Sequence, residues 1–296
     1  MLSYQSIEEL CRQAEEAGTT IAQAVLSDQA AQLGLEEGAV FAQMADRLQV
    51  MQASARAGMD PELRSASGLS GGDAAKMLAY AQGGGIAGPF VCGAIARALA
   101  VSECNAAMGK IVAAPTAGSC GILPGTILSV LEEEGCGRDE AVLALFTAGG
   151  FGMVIGNQAT LAGAEGGCQA ECGAAAAMAA AAMAELRGGT PRQAAHACAM
   201  ALKNQLGLVC DPVAGLVEVP CIKRNAAGVM IALSSAEMAL AGIESKIPAD
   251  ECISAMYEVG RALPASLRET SQGGLAATPT GLRLKRQIFG PQNESR

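Results

Sequence analysis

An all-α fold is predicted by three features of this 296-residue sequence. Apolar residues recur at steps of three and four, no strand-like alternation outlasts a few residues, and glycine-rich or proline-containing clusters separate one helical pattern from the next. The composition agrees. Alanine runs at 174–177 and 179–182 supply the strongest helix former, while aromatic residues make up only 3% of the chain with no Trp, poor material for a β-sandwich.

The elements follow in order. Ser6-Ile7-Glu8-Glu9 reads as a capping box opening a helix that ends near Gly18. A second pattern runs from Ile21 toward Gly34, and a third from about Glu37 to Ala57, with Val40, Met44, Leu48 and Met51 on one face. These form a helical N-terminal arm over residues 1–64, within a single domain spanning 1–296. Ser65 to Asp73 is too rich in Gly and Ser to continue a helix. Beyond it helices alternate with glycine-rich loops at Gln82–Gly85, Ala114–Ser119 and Gly163–Cys168. Gln169 to Leu186 should be helical on alanine propensity. Thr190-Pro191 places an N-cap and a first-turn proline before a helix that stops at Gly207. Two more helices are predicted, from about Lys223 to Ala241 and from Pro248 to about Leu263.

Composition also excludes functions. A hydrophobic fraction of 51% against 17% charged residues rules out a disordered chain. The net charge of −9 and the shortage of aromatics disfavour nucleic acid as a partner. Ala141 to Ala164 carries no charge and is long enough to span a bilayer, but Gly149, Gly150, Gly152 and Gly156 thin it and no basic cluster flanks it. A buried core helix pair accounts for it better than a membrane span. The opening residues show no basic stretch followed by an apolar one, so a cytoplasmic location with reduced thiols is expected.

Eleven cysteines are present, an awkward number for a disulfide framework. A buried thiol ordinarily serves as a small apolar filler, and Cys11, Cys92, Cys104, Cys120, Cys136, Cys172, Cys198 and Cys252 are assigned that role. Cys172 is the least secure of these, one helical turn past Cys168. Cys168, Cys210 and Cys221 differ because they sit in loops beside Gly166-Gly167, Asp211-Pro212 and Pro220. Cys168 and Cys221 each precede a predicted helix, whose N-terminus favours a thiolate, and Lys223 and Arg224 add positive charge near Cys221. No Cys-x-x-Cys occurs, so a zinc ribbon or thioredoxin-like motif is unsupported. Three converging thiolates suit an iron–sulfur cluster better than magnesium or calcium.

These segments resemble a known family. Gly163-Ala164-Glu165-Gly166-Gly167-Cys168-Gln169-Ala170-Glu171, the run from Cys210 to Cys221, and Arg224-Asn225 are similar to the α chain of bacterial iron–sulfur L-serine dehydratase. Ser70-Gly71-Gly72-Asp73, Pro115-Thr116-Ala117-Gly118-Ser119 and Gly274 to Gly281 extend the likeness over most of the chain beyond the arm. The resemblance implies that Cys168, Cys210 and Cys221 hold a [4Fe–4S] cluster. It also implies a separate β chain, because family members carry a His-containing segment near the active site and the only histidine here is His196, in an alanine-rich helix. Ala162 stands where a serine is expected, and the tail Gly290 to Arg296 lacks the cysteine with which some single-chain members end.

The resemblance further implies that three ligands would leave one iron open as a Lewis acid for elimination of the β-hydroxyl of L-serine, giving pyruvate and ammonia. Small residues before a helix leave amides free to cradle an anion, so Thr116, Gly118 and Ser119 are candidates for the substrate carboxylate. Ser70 and Lys76 join them as substrate-binding candidates, Lys76 supplying positive charge and standing as a weak candidate base. The principal base is expected on the β chain, with Glu165 or Lys76 as the fallback. Two rival readings remain. A pyridoxal-phosphate lyase would use Lys76 as its Schiff-base lysine and call for an α/β pattern. A non-catalytic cluster-bearing scaffold would need a fourth ligand, Cys172 or Cys198.

Overall fold

The structure is a computed structural model and describes residues 3–290, so the last six residues of the cysteine-free tail lie outside it. Thirteen α-helices are found among the described residues. They are α1 (Ile7–Ala17), α2 (Ile21–Leu33), α3 (Glu37–Gly58), α4 (Asp73–Gln82), α5 (Gly88–Ala106), α6 (Ile122–Glu133), α7 (Arg138–Gln158), α8 (Gly163–Gly166), α9 (Ala174–Leu186), α10 (Pro191–Lys203), α11 (Cys221–Leu240), α12 (Ala249–Ala262) and α13 (Pro279–Phe289). Extended pairing among the described residues is limited to an isolated parallel bridge between Cys210 and Arg268. The all-α expectation holds.

Helix starts follow the local chemistry. Thr20 and Thr190 each form a reciprocal box with a glutamine three residues on, Gln23 and Gln193. Ser6 Oγ accepts from the Glu9 amide at 3.0 Å, but the Glu9 carboxylate reaches past the cap to the Gln5 amide at 2.7 Å. The expected box is therefore displaced by one residue.

α9 occupies the centre, packed by α6, α7, α10 and α11. Every residue from Ala174 to Ala184 is buried, and all are Ala except Met178 and Met183. A helix bearing little beyond methyl groups lets its neighbours approach closely. Helices α1 to α3 share this core, since Ile7, Leu10, Val25, Leu48 and Met51 belong to the same buried cluster as α9.

The apolar segment expected as a helix pair is one continuous helix, α7, ending at Gln158. Its glycines do not break it because they meet neighbours: a methyl group at Gly150 would lie 2.5 Å from Val25, and one at Gly152 2.8 Å from Met178. Its most apolar stretch has a mean hydropathy of 1.3 and is 67% buried within the protein. Packing against α2, α3 and α9 accounts for that apolarity.

Candidate active site

The alanine-rich segment does not begin as a regular helix. Gln169–Gly173 forms a π-helical turn before α9 starts at Ala174. Tertiary bonds hold it in that form. Gln169, fully buried, accepts from the Gly207 amide at 2.9 Å and donates to the Met256 carbonyl at 2.7 Å. The wider turn sets Cys168, Glu171 and Cys172 together at the N-terminal end of the central helix, and π-turns of this kind often mark functional sites.

Two further segments close on this turn. α11 begins at Cys221, and Asn225, one turn on and 1% exposed, donates to the Gly118 carbonyl at 2.8 Å and accepts from the Gly121 amide at 2.8 Å. This fastens the Thr116–Ser119 loop to α11. Arg224 donates to the Val209 carbonyl and to Asp211 Oδ1, each at 2.8 Å, fastening the Cys210 loop to the same helix. Asp211 is itself buried and accepts from the Leu275 amide at 2.7 Å.

Cys168, Cys210 and Cys221 are all buried. Cys168 interacts with the neighbouring thiols of Cys172 and Cys210 and with the Arg224 guanidinium. Those contacts, Cys172 first, hold the Cys168 thiol well below its ordinary value. The interaction with Cys168 first, and then burial, push the Cys210 and Cys172 thiols up. Burial, reinforced by the charge at Cys168, pushes Cys221 up to about 12. The structure thus brings the three predicted cysteines into one neighbourhood and adds Cys172.

Glu171 stands between the thiols and the Thr116–Ser119 loop. Its Oε1 accepts from Thr116 Oγ1 at 2.8 Å, and Cys210 Sγ lies 3.6 Å from its Oε2. Burial raises its pKa to about 7, with the Cys168 charge adding to the rise and the Thr116 hydroxyl opposing it. Ser119, fully buried, lies within 3.3 Å of the Thr116 hydroxyl, and the Gly118 carbonyl faces Cys172 Sγ at 3.9 Å.

The remaining predicted residues lie elsewhere. Ser70 donates to the buried Glu218 at 2.5 Å, alongside Ser67 at 2.6 Å. Lys76 is 77% exposed and pairs with Asp73 at 2.9 Å; Asp73 also takes Lys223 at 2.5 Å. They flank the Cys221 end of the site without bonding to its thiols or to Glu171. Glu165 accepts from Thr160 at 2.6 Å. His196, on α10, accepts from the Ser245 amide at 3.3 Å.

Among the described residues no three or more Cys, His, Asp or Glu side chains close around a single ion position. A mononuclear site needs that arrangement; a four-iron cluster takes its thiolates on separate iron atoms. Three buried soft donors from three separate segments, with a guanidinium alongside to offset negative charge, match the donor chemistry of such a cluster.

Sequence reasoning gave Glu171, Asn225 and Asp211 no role. Glu171 carried a usable signal, being the only charged residue between Gly166 and Ala184.

Comparison with known proteins gives the chain its family. Residues 16–276 match the family described as serine dehydratase alpha chain. A Bacillus subtilis protein named probable L-serine dehydratase, alpha chain, is 50% identical over 288 residues, covering 97% of this chain and 96% of that one. The L-serine dehydratase alpha chain of Peptoniphilus asaccharolyticus is 49% identical over 243 residues, 82% of this chain and 83% of the relative. Escherichia coli L-serine dehydratase 1 is 46% identical over 182 residues, 60% of this chain but 40% of that longer protein. On the breadth of the family match and on these identities, the chain belongs to the serine dehydratase alpha chain family.

Proposed function

We propose that this chain is the α subunit of a two-chain L-serine dehydratase, a lyase that eliminates water from L-serine to give pyruvate and ammonia. The observation that carries the reading is the gathering of Cys168, Cys210 and Cys221 around the π-turn, next to Glu171 and the Thr116–Ser119 loop. Cys168, Cys210 and Cys221 would hold a [4Fe–4S] cluster. When bound, that group supplies a Lewis acid for departure of the poor hydroxide leaving group.

The chain's own residues orient the substrate. Thr116, Gly118 and Ser119 receive the carboxylate, and the Asn225 bonds hold their loop at a fixed distance from the thiols. Ser70 and Lys76 lie on the flank that a partner chain covers. Proton removal falls to the separate β chain, since the one histidine of this chain, His196, is engaged with Ser245. Eleven free thiols suit a reducing, cytoplasmic setting. No nucleic acid or membrane takes part. The pyridoxal-phosphate alternative is disfavoured because Lys76 is 77% exposed and tied to Asp73, whereas a Schiff-base lysine is normally activated by desolvation.

The test is anaerobic iron and sulfide analysis of the chain expressed with and without its β chain, followed by a pyruvate assay. Four irons per chain, slow turnover alone and restoration by the β chain are expected. Full activity from this polypeptide alone refutes the division of labour, and iron-free activity refutes the cluster.

A further inference from the structure

We infer that Glu171 receives the α-ammonium group of the amino-acid substrate; the inference rests on the dehydratase reading. Its carboxylate is placed with unusual closeness. A methyl group at Gly163 would lie 2.5 Å from Oε2, and one at Gly118 3.3 Å from Oε1, so two separate segments run bare backbone against it. Yet the carboxylate is under-supplied with donors. A carboxylate has about four acceptor positions, and here they meet one hydroxyl, Thr116, and one thiol 3.6 Å away.

Other carboxylates at buried or half-buried positions differ. Glu103 takes the amides of Asp73 and Ala74, and Glu185 takes those of Ile21 and Ala22 with Thr147. Glu218 takes two serine hydroxyls at 2.6 Å or less, and Asp211 takes an amide and Arg224. Among the described residues no Lys or Arg pairs with Glu171. A small cation with several N–H donors would satisfy it through charge-assisted hydrogen bonds.

An α-amino acid carries its ammonium and carboxylate on the same carbon. With the carboxylate on the Thr116–Ser119 loop, the ammonium reaches the residue that Thr116 already touches, and the β-carbon is left toward the thiols that Glu171 contacts through Cys210. Glu171 thereby selects amino acids over hydroxy acids and simple carboxylic acids.

The test uses the anaerobically reconstituted α–β complex and an inert ligand pair. L-alanine and propanoate differ only in the ammonium group and cannot undergo the elimination. Calorimetric titration of the wild type should show L-alanine binding more tightly. In Glu171→Gln that preference should fall by about tenfold or more, the scale of a hydrogen bond to a charged group, with propanoate affinity within about threefold of wild type. The KM for L-serine should rise in parallel, and iron content should stay at the wild-type level. Glu171→Asp, which keeps the charge, should retain part of the preference. An unchanged preference overturns the inference, as does equal loss of both ligands or no wild-type preference. Iron lost from Glu171→Gln but kept in Glu171→Asp assigns the residue to the cluster loops and also overturns it. A wild-type complex that retains its iron but fails to turn over L-serine refutes the dehydratase reading itself.

Discussion

Asn225→Ala should destabilise the protein strongly although it removes one small side chain. Asn225 is 1% exposed and joins the Thr116–Ser119 loop to α11. Truncation strips the Gly118 carbonyl of its 2.8 Å donor and the Gly121 amide of its 2.8 Å acceptor, both at buried positions. The Cys221 carbonyl, which also takes a bond at 2.9 Å, lies in the first turn of α11, where the helical ladder offers another donor. Two buried orphans at about 1–3 kcal/mol each give a cost of about 2–6 kcal/mol. Urea unfolding should show a lower midpoint at unchanged slope. The control is Ser234→Ala, whose exposed hydroxyl bonds to the Ile231 carbonyl at 3.1 Å and should cost no more than about 0.5 kcal/mol. If both variants cost the same small amount, Asn225 does not fasten the loop.

Alanine at Cys168, Cys210 or Cys221 should abolish activity and lower iron content. The same change at Cys92 or Cys136 should cost about 1 kcal/mol of packing and spare the iron; equal iron loss in all five variants would disprove the ligand set. Gly58→Ala places its methyl group 1.8 Å from the Ala100 carbonyl oxygen and should cost about 3 kcal/mol or more, whereas Gly18→Ala, in open space at φ +64, should cost only about 1 kcal/mol of backbone strain. Comparable thermal midpoints for the two would contradict the close approach of α3 and α5. Burial raises the Glu185 pKa above the ordinary 4.5, so its proton is held more tightly in the folded state. The associated stability is fully present below about pH 4.5 and is lost as pH rises through the folded value. Glu185→Gln should flatten that decline in a pH series of unfolding midpoints, and an unchanged slope would show that the carboxylate does not titrate with folding.

Local signals carried much of the fold. Thr20 and Thr190 show their caps in sequence because the bonding partners, Gln23 and Gln193, lie within the same turn. The three loop cysteines stood out because glycine, proline and aspartate surround them. The π-turn was illegible for the opposite reason. Alanine propensity favours a regular helix from Gln169, and what overrides it are bonds from Gln169 to Gly207 and Met256, residues distant in sequence. Gly150 and Gly152 misled in the same way, suggesting a break within α7 when they accommodate Val25 and Met178. Lys76 had suitable charge and a promising neighbourhood, but it pairs with Asp73 three residues before it on the same helix, and Asp73 also takes Lys223 from another helix.

The position of the site at the head of α9 also divides it by mobility. Amides in a fully buried central helix exchange with solvent only when the whole molecule unfolds, whereas loops held by a few side-chain bonds open at lower free energy. Cys168, Glu171 and Cys172 continue directly into that helix and Cys221 begins α11, which packs on it, while Cys210 lies on a loop held by Arg224 and Asp211. Cys168 therefore sits on the fixed part of the site and Cys210 on the part that opens more readily. Amide exchange should accordingly be slowest from Ala174 to Ala184 and faster in the loop that carries Cys210.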